Sequence, residues 1–156
     1  MSDTLTAIVD LVEGMAFRAT SGSGHVLVMD AAHDTGGSDI GARPMEMLLL
    51  GLGGCTGMDV ISMLRKMRQD VSSYQIRLCG QRATEHPKIF TAITVEHVVR
   101  GRALSLEAVK RAVELSATRY CSAAAMLGRA AHIEETYRII DDTTGQEQTG
   151  ALALAA

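Results

Sequence analysis

The chain has 156 residues, 47% of them hydrophobic, and a formal net charge of −3 at pH 7. This length is enough for one domain with a single core. The mildly acidic balance and the scarcity of aromatic residues (two Phe, three Tyr and no Trp) argue against a nucleic-acid-binding surface.

The sequence shows no sign of membrane insertion or export. Its longest apolar runs are interrupted by Asp, Arg and Gly, so we expect them to fall short of a transmembrane helix. The N-terminal segment "MSDTLTAIVDLVEG" has neither the basic flank nor the apolar block of a signal peptide. We expect a cytoplasmic protein that binds neither membranes nor nucleic acid.

The hydrophobic pattern predicts an α+β domain. In chain order it predicts strands over residues 4–12 and 25–29, a glycine-rich loop over 30–43, a helix from Pro44 to about Gln69, an antiparallel hairpin over 74–82 and 89–99, helices over 104–120 and 121–131, and a last strand over 132–140. Pro44 suits the first turn of its helix, and Ser105 suits an N-cap. We expect one domain over 1–141, with helices covering one face of an antiparallel sheet, and a flexible tail over 142–156.

The helix that begins at Pro44 is apolar on all sides in its first half. On a helical wheel its core face contains Leu49, Leu50, Gly53, Gly57, Val60, Ile61, Leu64 and Met67, and the opposite side, near Cys55, contains Leu48, Gly51, Leu52 and Met58. Each glycine weakens a helix by about 1 kcal/mol relative to alanine, so this concentration indicates close approach of another backbone. We therefore predict that this half of the helix lies in a homodimer interface with Cys55 at the seam.

The cysteines give no sign of a metal site or a structural disulfide. Cys55, Cys79 and Cys121 form no CxxC pair, and the five histidines are scattered without zinc-binding spacing. Cys55 is interpreted either as a small apolar filler, the usual role of a free cysteine, or as a reactive thiol. Asp59, four residues later, would raise the pKa of that thiol if the two groups are close.

Cys121 follows Arg119 in the segment "TRYCSAAAML", at the junction between two predicted helices. A helix N-terminus and a nearby arginine both favour a thiolate. The alternative is a cysteine that merely packs in the linker between the helices. The sequence pattern leaves both interpretations open.

Two segments together resemble one known family. The stretch "RPMEMLLLGLGGCTGMDVISMLRKMRQDV", followed by "AVELSATRYCSAAAML", resembles the OsmC/Ohr family (osmotically inducible protein C and organic hydroperoxide resistance protein), and most of all its YhfA-like branch. The resemblance implies an intertwined homodimer, in which antiparallel sheets wrap around two long central helices. It also implies reduction of organic hydroperoxides, with Cys55 as the peroxidatic and Cys121 as the resolving cysteine. A thiol reductant resets such a pair, and no metal or organic cofactor is needed.

The helix departs from the family pattern at one position. Peroxidase members have a glutamate directly after the proline, which together with an arginine steadies the reactive thiolate. Here that position is Met45, and Glu46 lies about opposite Cys55 on the helical wheel. At the start of the helix, the acidic side chain of Glu46 interacts favourably with the helix dipole. Arg18 and Arg43 are candidates for the arginine, although either suits a solvated surface charge.

Three functions are therefore consistent with the sequence. The first is a thiol-dependent hydroperoxide reductase, and the second is a dimeric binding protein that holds an apolar small molecule in an interface pocket. The third is a redox sensor whose dimer responds to oxidation of Cys55. A short distance between the sulfurs of Cys55 and Cys121 would identify them as a redox pair.

Overall fold

The structure is a computed structural model that describes residues 4–153, and the chain divides into two units, Met1–Leu48 and Leu49–Ala156. The predicted α+β class is confirmed. Helix α1 (Pro44–Lys66) begins in the first unit and continues into the second, with its start at the predicted proline.

The first unit contains a three-stranded antiparallel sheet. Its strands β1 (Ala7–Glu13), β2 (Ala16–Ser21) and β3 (Val26–Met29) lie in the order of the chain. Strand β2 was not predicted, because the β1–β2 connection consists of only two residues and β2 itself mixes small, polar and apolar residues. The left-handed φ of +57° at Gly14 makes this tight connection feasible.

The second unit contains a four-stranded sheet with helices between its strands. After α1 come β4 (Asp70–Arg82), β5 (Phe90–Arg102), α2 (Leu106–Leu115), α3 (Ser122–Leu127), β6 (His132–Asp141) and β7 (Glu147–Ala151). The strand order is β4-β5-β6-β7. The pairs β4/β5 and β6/β7 are antiparallel, whereas β5 and β6 are parallel. This sheet is therefore mixed rather than antiparallel, because the helical crossover through α2 and α3 returns the chain to the same end.

The segment predicted to be a flexible tail contains strand β7. The chain turns after β6 on the carboxylate of Asp141, which accepts hydrogen bonds from the backbone N–H groups of Thr143 and Thr144. Residues 147–151 then pair with β6. The sequence of β7, "EQTGA", has no apolar alternation, because this strand forms through main-chain hydrogen bonds to the edge of β6. Residues 154–156 lie outside the described part of the chain.

Helix α1 packs closely on the sheet of the second unit. A Cβ atom added at Gly53 would lie 2.8 Å from Leu78 Cδ1, and one added at Gly57 would lie 2.6 Å from Ile76 Cδ1. These two glycines therefore accommodate side chains of the chain's own β4, not another backbone. In contrast, a Cβ atom at Gly51 or at Gly54 would meet no heavy atom within 4 Å outside the backbone of its own helix, as far as the described residues extend.

A buried polar triad lies among the apolar side chains of this sheet. His97 Nδ1 is 2.6 Å from the Tyr74 hydroxyl, and His97 Nε2 is 2.9 Å from Glu135 Oε2. The side chains of His97 and Glu135 are fully buried, and Glu135 Oε1 has no hydrogen-bond partner among residues 4–153. Burial and the neighbouring Glu135 carboxylate raise the pKa of Tyr74.

Helix α1 is also the one helix among residues 4–153 that is long and apolar enough, by length and composition, to cross a membrane. The expectation that the apolar runs are too short was therefore wrong by this criterion. About a third of the apolar window is buried in the folded chain. Central helices of globular proteins meet the same criterion, and the absence of membrane binding stays a prediction.

Candidate active site

Two cysteines that are distant in the sequence lie together in the second unit. Cys55 is half-buried in the middle of α1, and Cys121 is buried directly before α3. Their sulfur atoms and a carboxylate oxygen of Asp59 all lie within 4.8 Å of one another. A disulfide bond is about 2.05 Å long, so the two sulfurs have to move closer together to form one. The short distance is the geometry expected of a redox pair.

A π-helical turn places Cys121 at this site. Helix α2 ends at Leu115, and residues Ser116–Tyr120 form the turn. The N–H of Cys121 donates to the Ser116 carbonyl oxygen five residues earlier, at 2.9 Å. Such turns insert one extra residue into a helix and occur often at functional sites. The sequence pattern predicted an uninterrupted helix to residue 120.

Two buried hydroxyl groups orient Asp59. The Ser116 hydroxyl donates to Asp59 Oδ2 at 3.1 Å and lies 3.0 Å from the Thr56 hydroxyl. Because the single Ser116 proton points to the carboxylate, Thr56 donates to Ser116. Thr56 and Ser116 are 1% and 0% exposed. Sequence reasoning missed both residues, although hydroxyls within otherwise apolar helical stretches were a usable signal.

Cys121 is protonated at neutral pH. Burial raises the pKa of its thiol to about 12, and a hydrogen bond and charge repulsion from Cys55 add to this effect. The hydrogen bond from the Ala124 N–H to the Cys121 sulfur, at 3.3 Å, opposes the shift only in part. The N–H groups at the helix start lower the pKa of this thiol, as expected, but burial outweighs them, so the net shift does not favour a thiolate. Arg119 is exposed and lies over the Tyr120 ring, 5.4 Å from its centroid.

Two thiols and one carboxylate are also groups that hold divalent metal ions. Metal binding requires both sulfurs to lose their protons, and the raised pKa of Cys121 opposes this loss. A divalent ion bound by both sulfurs would therefore have to displace the proton of Cys121.

The three supporting residues suggested by the family resemblance lie in the first unit. Glu46 Oε2 accepts a hydrogen bond from the Arg43 N–H at 2.9 Å, so Glu46 caps the start of α1. The Arg43 guanidinium pairs with Asp39 at 2.8 Å. Arg18 is exposed on β2, opposite Asp10 of β1. An effect of any of these residues on Cys55 stays a prediction.

A pocket of about 440 Å³ reaches the carboxylate of this site. Its apolar wall is formed by Met63, Met67, Leu115 and Tyr120, and its polar lining includes Asp59 and Lys66. Asp59 therefore contributes both to the pocket and to the cluster around the two sulfurs. A small organic molecule in the pocket would approach the thiols from the Asp59 side.

Comparison with known proteins identifies the family to which this chain belongs. The family model described as "OsmC-like protein" matches residues 36–136. The chain therefore belongs to the OsmC-like family. Within the family, it is 43% identical to Protein YhfA of Escherichia coli over 136 residues, which cover 87% of this chain and 98% of that protein.

Solved structures share the fold. The crystal structure of a hypothetical protein from Aquifex aeolicus VF5 is 28% identical in sequence, with a TM-score of 0.80 over 90% of this chain and 99% of the other. An organic hydroperoxide resistance protein OsmC from Legionella pneumophila is more distant, with 12% identity and a TM-score of 0.64 over 86% and 96% of the two chains. At this identity, the second likeness concerns the fold alone.

Proposed function

We propose that this protein is a thiol-dependent reductase of organic hydroperoxides that acts in the cytoplasm. The observation that supports the proposal most is the proximity of the Cys55 and Cys121 sulfurs, within 4.8 Å, in a chain of the OsmC-like family. The two cysteines also differ in the way the reaction requires. Cys121 is buried and protonated, whereas Cys55 is half-buried and is the more accessible of the two.

The reaction proceeds in two oxidative steps and one reset. The Cys55 thiol loses its proton, and the thiolate attacks the terminal peroxide oxygen. The O–O bond breaks, Cys55 becomes a sulfenic acid, and the leaving alkoxide takes up the proton and departs as an alcohol. The Cys121 sulfur then attacks the Cys55 sulfur, and a disulfide forms with release of water. Two electrons and two protons from an external thiol reductant restore both thiols. This cycle uses sulfur chemistry throughout and needs no cofactor.

The pocket beside Asp59 suits an apolar peroxide. Two methionines and one leucine supply a flexible apolar wall, and methionine adapts to ligands of irregular shape. The Lys66 ammonium group adds one positive charge to the lining. We expect bulky organic hydroperoxides to react faster than hydrogen peroxide, because only the former gain apolar contacts.

Disulfide mapping tests the proposal on the unmodified protein. Reduced protein is mixed with an equimolar amount of cumene hydroperoxide, quenched by alkylation, and digested for mass spectrometry. We expect a Cys55–Cys121 disulfide, with Cys79 alkylated in the same sample, since Cys79 is exposed on β4. Persistence of both thiols, at a time when free dithiothreitol in a parallel sample is oxidised, would contradict the proposal.

The pocket itself supports a second candidate function. A dimeric binding protein would hold an apolar small molecule against the methionine wall without reacting with it. Native mass spectrometry distinguishes the two functions. A co-purified ligand together with inert thiols would support binding, whereas rapid oxidation of Cys55 and an empty pocket would exclude it.

We also propose that the active form is a homodimer. Apolar side chains of the first-unit sheet are 43–64% exposed, namely Ile8, Val9, Leu11, Val12, Val26, Leu27 and Val28. On α1, Leu50 and Met58 are 59% and 74% exposed, beside the unobstructed Gly51 and Gly54. Exposed apolar area of this extent is typical of an interaction surface.

Met58→Glu is expected to weaken the dimer at least about tenfold, because burial of an unpaired carboxylate is costly. The matched control is Met126→Glu on α3, since Met126 is also 74% exposed. Sedimentation velocity over a concentration series measures the dissociation constant of both variants. A monomeric wild type at micromolar concentration, or an equal effect of both substitutions, would contradict the proposed interface.

A further inference from the structure

We propose that Asp59 accepts the proton of Cys121 when the disulfide closes, and that Ser116 and Thr56 position its carboxylate for this transfer. The inference rests on the proposed thiol chemistry of the Cys55–Cys121 pair. It assigns a function to a carboxylate that lies at the sulfurs and also reaches the pocket.

The geometry places Asp59 between the reacting sulfurs and the pocket. Asp59 lies one helical turn after Cys55 on α1, so both side chains extend to the same side of the helix. One carboxylate oxygen lies within 4.8 Å of both sulfurs. Among residues 4–153, the Asp59 side chain forms no ion pair and accepts one hydrogen bond, from Ser116. The carboxylate therefore retains the capacity to accept a proton.

The resolving step requires such an acceptor. Because Cys121 is buried and its thiol has a pKa of about 12, very little of it is present as thiolate at neutral pH. As the Cys121 sulfur begins to share its electron pair, its proton becomes strongly acidic, and a carboxylate can accept it in the transition state. General-base assistance of this kind contributes about 100-fold or more to a rate.

The step balances in atoms and electrons. The electron pair of the Cys121 sulfur forms the S–S bond, and the S–O bond of the Cys55 sulfenic acid breaks with its own pair. The Cys121 proton passes to Asp59 and then to the leaving hydroxide, so one water molecule is released and Asp59 returns to a carboxylate. No further oxidant is consumed. The pocket lined by Asp59 provides the route for this water.

Other carboxylates near the start of α1 are engaged differently. Glu46 caps the helix through the Arg43 N–H, and Asp39 pairs with the Arg43 guanidinium. The chain thus has Met45 directly after the proline and a carboxylate four residues beyond Cys55. Within the second unit, Asp59 is the carboxylate that lies next to both sulfurs among residues 49–153.

Dithiodipyridine tests the role of Asp59 without a peroxide. In a Cys79→Ser background, Cys55 attacks this reagent and releases one thiopyridone. Cys121 then attacks the mixed disulfide and releases a second, so the two steps appear as two phases of absorbance. The second phase requires the same loss of the Cys121 proton as the peroxide reaction.

Asp59→Asn is expected to slow the second phase about 100-fold. The rate of the second phase in this variant should also become proportional to the hydroxide concentration, so that it increases about tenfold per pH unit from about pH 6 to about pH 8. The rate of the wild-type second phase should change little over this range. The other titratable groups facing Asp59 are Cys55, Cys121, Lys66 and Tyr120, and all of them are present in both proteins. The changed pH profile would not result from a purely structural role.

Two further variants complete the test. Ser116→Ala should slow the second phase about tenfold while the wild-type pH profile persists, because the carboxylate remains but loses its hydrogen bond. If Asp59→Asn fails to fold, Ser116→Ala still tests whether the positioned Asp59 carboxylate accelerates the second phase. Glu114→Gln, the same change at a half-exposed site on α2, is the matched control and should leave both phases unchanged.

The outcomes separate this inference from the proposed function. A wild-type rate and pH profile in Asp59→Asn would overturn the role of Asp59. Normal closure with dithiodipyridine but none with cumene hydroperoxide would overturn the peroxidase function and leave the role of Asp59 intact. Release of a single thiopyridone by the wild type would overturn both.

Discussion

Cys55→Ser is expected to abolish turnover of cumene hydroperoxide, with a loss of at least about 10³-fold. A serine hydroxyl neither ionises near neutral pH nor takes up a peroxide oxygen, so the first step has no nucleophile. Cys121→Ser should still undergo the first oxidation, because Cys55 is intact, but the sulfenic acid should then accumulate. Peroxide consumption with dithiothreitol as the reductant measures turnover, and dimedone labelling detects the sulfenic acid.

The chain supplies its own control for these variants. Cys79 is an exposed thiol on β4, so Cys79→Ser removes one sulfur without altering the cluster around Asp59. We expect this variant to retain wild-type turnover. Appreciable turnover in Cys55→Ser, or an equal loss in Cys79→Ser, would show that Cys55 is not the nucleophile.

His97→Leu is expected to destabilise the protein by about 3–5 kcal/mol. The imidazole of His97 bonds both the Tyr74 hydroxyl and the Glu135 carboxylate, and it lies where water has no access. Without it, the Glu135 carboxylate would remain buried with neither of its oxygens paired, which is the origin of the cost. Urea unfolding followed by circular dichroism measures the change in the free energy of unfolding.

The double variant His97→Leu/Glu135→Leu provides the comparison. We expect it to recover most of the loss, because no charge is then left buried. A surface ion pair provides a second comparison. Arg77→Met removes the exposed ion pair between Arg77 and Glu96 and should change the free energy of unfolding by less than about 1 kcal/mol. If the double variant were no more stable than His97→Leu, the buried carboxylate would not be the cause of the instability.

Elements with a strong hydrophobic period were the ones that the sequence could predict. The start of α1 at Pro44, the β4–β5 hairpin and β6 are confirmed. Strands β2 and β7 were missed because their pairing depends on main-chain hydrogen bonds to a neighbour, which leave little trace in side-chain pattern. The helical wheel also erred locally, since Leu50 is exposed and Leu52 is fully buried.

The candidate site was predictable as a pair of residues but not as an arrangement. Cys55 and Cys121 were identified through the family resemblance, and their proximity agrees with it. The Ser116–Asp59 hydrogen bond depends on a π-helical turn that no residue pattern signals. Burial also reversed the expected pKa shift of Cys121, because a short helix start and one hydrogen bond do not outweigh desolvation.

The depth of Cys121 has a consequence for recycling of the oxidised protein. In thiol–disulfide exchange a sulfur with a high pKa is a poor leaving group, so the raised pKa of Cys121 disfavours its expulsion and directs an incoming thiol to the Cys121 sulfur. Only 3% of Cys121 is accessible to solvent, however, and attack on the more open Cys55 must expel a thiolate whose pKa is about 12. Steric access and leaving-group ability thus favour opposite sulfurs. Bulky monothiols should consequently reduce the Cys55–Cys121 disulfide slowly, and a reductant shaped to reach the buried sulfur should reduce it faster.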